Sequence, residues 1–191
     1  MTTASCRPLA PAARSCWRRV LQAGVIGLAC LPALAADPPA VAAREAERLY
    51  RAGDTVQALQ RLDRALADHP ADPSLRFMRG VMLAGTQRET EAAEIFTALT
   101  REFPELPEPY NNLAVLRAAH GDLDGARALL EDALRRDPDY AAAQENLGDV
   151  LLRQAQRAYE AAASAPRPAA ALQRKLQSVR AIETSTPSPA R

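Results

Sequence analysis

Cysteine is confined to the start of this chain: Cys6, Cys16 and Cys30 are the only three, and none follows residue 30. The remainder therefore has no disulfide, no thiolate metal site and no cysteine nucleophile. Such a segment cannot mispair in an oxidising compartment. Aromatic residues make up 4% of the sequence, against 48% hydrophobic residues in all. The apolar share is thus mainly alanine and leucine, which suits thin, closely packed helices. Lys175 is the only lysine, so basic contacts fall to arginine. Glycine-rich phosphate loops are absent. His69 precedes a proline and His120 precedes a glycine. Both read as helix C-terminal residues favoured by the macrodipole, and neither joins a nucleophile or metal constellation. We expect no catalytic residue, no metal site and no cofactor. A net charge of +1 gives no global field toward nucleic acid or acidic lipid. Arg135-Arg136 and Arg174-Lys175 lack the interleaved aromatics of a nucleic-acid surface.

The charge is unevenly placed. The first 36 residues carry Arg7, Arg14, Arg18 and Arg19 and no acid, leaving 20 basic against 23 acidic residues beyond them. An apolar run from Val20 to Leu31 follows the arginines and leads to Ala33-Leu34-Ala35. Basic, apolar and A-x-A in that order predict a secretory signal over residues 1–36, cut after Ala35 or Ala36. The competing reading is an uncleaved anchor, although the run is short for a bilayer span of about 20 residues. Gly27-Leu28-Ala29-Cys30 resembles a lipoprotein signal, with Gly27 where leucine is usual. Arg18-Arg19 is the pair of twin-arginine export, but Val20-Leu21-Gln22 fits that motif poorly. The mature chain is expected in the periplasm or outside the cell. Membrane attachment is expected only with an uncut signal or a lipidated Cys30.

What the chain has in abundance is periodicity. Ala46, Gly80, Ala114 and Gly148 stand 34 residues apart, as do Ala58, Ala92 and Ala126, and Pro70, Pro104 and Pro138. Three registers sharing this period are the signature of stacked helical hairpins. Apolar spacing predicts helices over 42–51, 56–67, 73–85, 90–101, 107–119, 123–136 and 141–163, then a last one over 169–182. Prolines fall at the joints, where they end or open helices. Residues 37–40 read as a linker, 41–153 as the repeats, 154–182 as a terminal cap and 183–191 as a disordered tail. In the fourth unit Glu160 and Leu172 replace the registered alanine and proline, so that unit is degenerate. A solenoid needs a terminal element over its exposed apolar end, and residues 154–182 are assigned that task.

The third unit carries a family resemblance: Tyr110-Asn111-Asn112-Leu113-Ala114, then Gly121-Asp122, Ala126, Leu130, Ala133 and Asp137-Pro138. These residues resemble the tetratricopeptide repeat, and Gln144-Glu145-Asn146-Leu147-Gly148 repeats the opening. The first units fit less tightly: Glu45 and Arg79 stand where leucine is usual, and Gln87-Arg88 replaces Gly-Asp. The resemblance covers about residues 39–153. It implies an all-α, right-handed superhelical solenoid of antiparallel helix pairs, with about three full units, the degenerate fourth and a capping helix.

The resemblance further implies that the first helix of each pair lines a concave groove. Helical spacing then selects Arg44, Glu47 and Tyr50; Phe77, Met78 and Val81; Asn111, Asn112 and Val115; and Glu145, Asn146 and Asp149. Asn112 and Asn146 could pair with the backbone of an extended peptide, or be architectural. Phe77 and Met78 could form an adaptable apolar pocket, or pack between repeats. The lysine and asparagine clamp that some members close on a C-terminal carboxylate is not expected without lysine in the repeats. The expected activity is non-catalytic binding of a protein or peptide by a monomer in the bacterial envelope. The alternative is a membrane-tethered structural or assembly factor.

Overall fold

Prolines and small residues decide where this chain bends and where it packs. The computed structural model describes residues 38–165 and 171–185, and every structural statement below refers to these. The expected signal segment, all three cysteines, Pro166, Pro168 and residues 186–191 lie outside them. The described residues form eight helices: α1 Pro39–Arg51, α2 Thr55–Asp68, α3 Pro73–Ala84, α4 Glu89–Glu102, α5 Pro107–Ala119, α6 Leu123–Arg136, α7 Ala141–Ala163 and α8 Leu172–Ser185.

Pro39, Pro73 and Pro107 each open a first helix, 34 residues apart. A first-turn N–H has no intrahelical partner, so proline loses nothing there. For that reason Pro39 and Ala40, expected in the linker, belong to α1. At the other end, residues 183–185, expected in the tail, continue α8. Asp72 and Asp122 cap α3 and α6, accepting from the Leu75 and Gly125 N–H groups at 2.9 Å.

Within the first three units the helices pair as hairpins, α1 with α2, α3 with α4 and α5 with α6. The core is a series of seams, each reaching into the next unit. Ala42, Ala46, Ala58 and Leu62 join Leu75 and Met82. Ala92, Phe96 and Leu99 join Leu113 and Leu116. Ala114, Ala126 and Leu130 join Ala143 and Val150. No unit closes its own apolar surface without its neighbour, as nearest-neighbour stacking requires. At the joints a side chain satisfies the proline carbonyl: Gln144 Nε2 donates to Pro138 O at 2.7 Å. The Tyr110 hydroxyl donates to Thr100 O at 3.1 Å, and Arg136 lies 3.8 Å above its ring.

The fourth unit departs from the pattern. α7 runs on for 23 residues instead of turning, and α8 returns along it. Leu172, Leu176 and Val179 are buried, Arg180 Nη2 meets Glu160 Oε1 at 2.8 Å, and Lys175 lies 5.8 Å from the Tyr159 ring centre. α8 thus returns along the C-terminal half of α7, where Tyr159 and Glu160 meet it. Leu151 stays 42% exposed.

The small-residue register measures the difference. A Cβ on Gly80 would lie 2.7 Å from Phe96 Cε1 and 3.3 Å from Ile95 Cγ2, whereas one on Gly148 meets nothing within 4 Å. Gly148→Ala should therefore stabilise the chain by about 0.5–1 kcal/mol through helix propensity. Gly80→Ala should cost about 1–3 kcal/mol through overpacking. Urea denaturation of both variants checks the sign of each.

A second register explains the imperfect turn. Gly53, Gln87 and Gly121 occupy equivalent positions with φ of 88°, 62° and 82°. The turn thus keeps its left-handed geometry without glycine, at a strain of about 1–2 kcal/mol for an L-residue. Gln87→Gly should raise stability by about 0.5–1 kcal/mol after glycine's own entropy cost, read as a higher melting temperature.

Candidate functional site: the face of the first helices

The first helices pack on one another in sequence, α1 on α3, α3 on α5 and α5 on α7, while no such contact joins α2, α4 and α6. In a curved stack the closer row is the inner one. The inner face is therefore built from α1, α3, α5 and α7, the row that the resemblance implied.

The selected residues differ in how free they are. In the first unit Arg44 is exposed and Glu47 pairs with Arg51 at 2.5 Å. Tyr50 is half-buried against the first seam, and its hydroxyl lies over Gly85. In the second unit Phe77, Met78 and Val81 are all half-buried. Phe77 and Val81 pack on the second seam, with Phe77 5.7 Å from the Phe96 ring, and Met78 packs on the first. Phe77 and Met78 thus pack on the seams and each keeps part of its surface exposed. Val115 is 38% exposed in the third unit.

The asparagines are more committed than the groove reading assumes. Asn112 Nδ2 donates to Glu108 O in its own helix at 2.9 Å, and Asn146 Nδ2 donates to Asn111 Oδ1 across α5 and α7 at 2.8 Å. Asn111 is only 6% exposed. Each of Asn112 and Asn146 therefore has one amide N–H committed within the protein and keeps a second N–H and its side-chain carbonyl. Glu145 is exposed and Asp149 half-buried.

The sequence selection leaves out two inner-face residues. Glu108, four residues before Asn112, and Arg153, four after Asp149, follow from continuing the same spacing one turn further. Glu108 is near enough to α7 to be felt there. Burial first, then the Glu108 and Asp137 charges, push the Tyr140 hydroxyl above its ordinary pKa. A separate cleft lies where α4 begins, with Glu89, Arg117 and His120 on its rim and Leu113 and Leu116 on its floor. His120 Nε2 meets Glu89 Oε2 there at 2.9 Å. Helical spacing puts this cleft on the side of α5 opposite Val115. Among the described residues no group of three His, Cys, Asp or Glu could hold a metal ion, and no helix is long and apolar enough to cross a membrane.

The inter-unit amide bond makes a prediction. Asn146→Ala leaves the buried Asn111 acceptor unpaired and should cost about 1–2 kcal/mol. Asn112→Ala removes only an intrahelical bond at a partly exposed site and should stay within about 0.5 kcal/mol. Denaturant midpoints of the two variants provide the comparison.

Comparison with known proteins agrees with this geometry. A family model described as Tetratricopeptide repeat matches residues 43–107 and 111–166. No curated protein matches the chain. Several solved structures share the fold. TTC0263, a thermophilic TPR protein in Thermus thermophilus, is 22% identical with a TM-score of 0.57, covering 75% of this chain and 82% of that one. The Sgt2 TPR domain from Aspergillus fumigatus is 19% identical with a TM-score of 0.59, covering 67% and 85%. The second TPR domain of human RPAP3, in complex with the HSP70 peptide SGPTIEEVD, is 18% identical with a TM-score of 0.52, covering 59% and 94%. With the family model spanning most of the chain and its repeats forming a helical solenoid, this protein belongs to the tetratricopeptide-repeat family.

Proposed function

We propose that this chain is a non-catalytic adaptor that holds a protein partner, or an extended segment of one, along its inner face. One observation carries the reading. The row α1, α3, α5 and α7 presents a continuous face whose middle, Phe77, Met78, Val81 and Val115, is apolar and only half-buried. Partly exposed apolar side chains aligned between polar ends mark a contact surface. The peptide held by the human RPAP3 domain supports the same use of the fold. The site of action is the cell envelope, reached by the monomer after residues 1–36 are removed. The Arg18-Arg19, apolar and A-x-A order supports that location.

The test is a pull-down of the full-length chain, expressed in its own cells and purified as processed there. Val115→Tyr fills the groove at an exposed position, and Val56→Tyr makes the same change on α2, where Val56 is 70% exposed. A partner held by the wild type and by Val56→Tyr, but reduced about tenfold or more by Val115→Tyr, is the expected result. Equal capture by all three would move binding off the inner face.

A second reading, a membrane-tethered assembly factor, draws on Gly27-Leu28-Ala29-Cys30. Intact mass separates the two. Loss of residues 1–35 or 1–36 is expected for the free adaptor, and a lipid adduct on Cys30 would establish the tether.

A further inference from the structure

The inner face is not uniform in charge. Its first unit offers the unpaired cation Arg44, beside a Glu47–Arg51 pair that neutralises itself. Its second unit offers no charge, only Phe77, Met78 and Val81. Its third and fourth units offer Glu108, Glu145 and Asp149, and no ion pair engages any of the three. Arg153 stands four residues beyond Asp149 on α7, yet no ion pair joins them. Elsewhere arginines neutralise several acids: Arg79 with Asp63, Arg88 with Glu91, Arg127 with Glu131 and Arg135 with Asp132. The third and fourth units thus bring three carboxylates and one arginine, Arg153, to the same end of the groove, an excess of negative charge there.

Two further features frame that end. Asn112 and Asn146 each give one amide N–H to the protein and keep a second N–H and a carbonyl oxygen, so they add polarity but no charge there. The excess of carboxylates over arginine at that end favours a cationic side chain. On α8, Arg180 is already bound to Glu160, so that cation is engaged away from Glu145 and Asp149.

Resting on the groove reading above, we propose that the occupant is an extended peptide segment carrying an apolar side chain for the second unit and a lysine or arginine for the third and fourth. Adjacent helices pack about 8–10 Å apart, and an extended strand advances about 3.3 Å per residue. The cation therefore follows or precedes the apolar anchor by about three to six residues. A segment ending in acidic residues, as in the EEVD peptide of the RPAP3 complex, meets like charge at this end of the groove and is rejected.

The experiment pans a phage-displayed library of random dodecapeptides on the folded chain. It then repeats the panning on Glu145→Gln/Asp149→Asn and, separately, on Val115→Tyr. The carboxamides keep shape and remove charge at positions that make no ion pair, so equal thermal melts confirm an intact fold. Selected peptides should carry Lys or Arg three to six residues from a Phe, Leu or Met. Their synthetic copies should bind the carboxamide variant about tenfold more weakly, with salt weakening only the wild-type complex to that level. Neutral or acidic selected peptides that are lost on Val115→Tyr would overturn this inference and leave the groove reading standing. Selection indifferent to Val115→Tyr, or no selection at all, would overturn both.

Discussion

The structure depends on one constraint, the close approach of paired helices at a small residue. Where Gly80 faces α4, the Phe96 ring occupies the space that a side chain would need. Ala46 and Ala114 hold the same register, and Ala58, Ala92 and Ala126 answer from the second helices, all without exposure to solvent. Larger residues at these points would force the pairs apart and open the seams behind them. The low aromatic content follows from this packing. With backbones so close there is room for few rings, and Phe96 is used as a wedge beneath Gly80.

The same constraint explains how the array ends. Gly148 keeps the small-residue register, but no helix arrives to use it, because α7 continues straight where earlier units turn. The missing element is the Gly-Asp turn. In the first and third units glycine takes a left-handed φ, and in the second Gln87 is held there; at Ala155, the equivalent position in the fourth unit, α7 remains helical. α8 instead returns along the C-terminal half of α7, meeting Tyr159 and Glu160, so the array ends in a helix pair of a different kind.

Much of the fold was legible because breakers and periodicity agree. Pro107 and Gly121 bracket α5 and α6 so firmly that 107–119 and 123–136 follow from the sequence alone. The errors occur where one residue type serves two purposes. Pro38-Pro39 looks like an extended linker, yet proline is also at home in the first turn of a helix. The site was less legible. Helical spacing places Asn111, Asn112 and Asn146 on one face, but spacing cannot say which amide bonds to which. Asn146 and Asn111 are 35 residues apart, one off the repeat, so their bond depends on the stagger between α5 and α7 and not on the register. Likewise, the unpaired state of Glu108, Glu145 and Asp149 is a property of where the arginines reach, and side-chain reach is not written in a period.

The central claim is that the inner row of helices, not the outer row or the cap, meets the partner. Site-specific photocrosslinking inside the living cell tests it most directly, with a benzophenone amino acid placed at Val81, at Val115 or at Val56. Val81 and Val115 lie on the inner row and Val56 on the outer one. The account predicts one discrete adduct, of the same mass, from Val81 and Val115 and none from Val56. An adduct from Val56 alone would place the partner on the outer surface and contradict it.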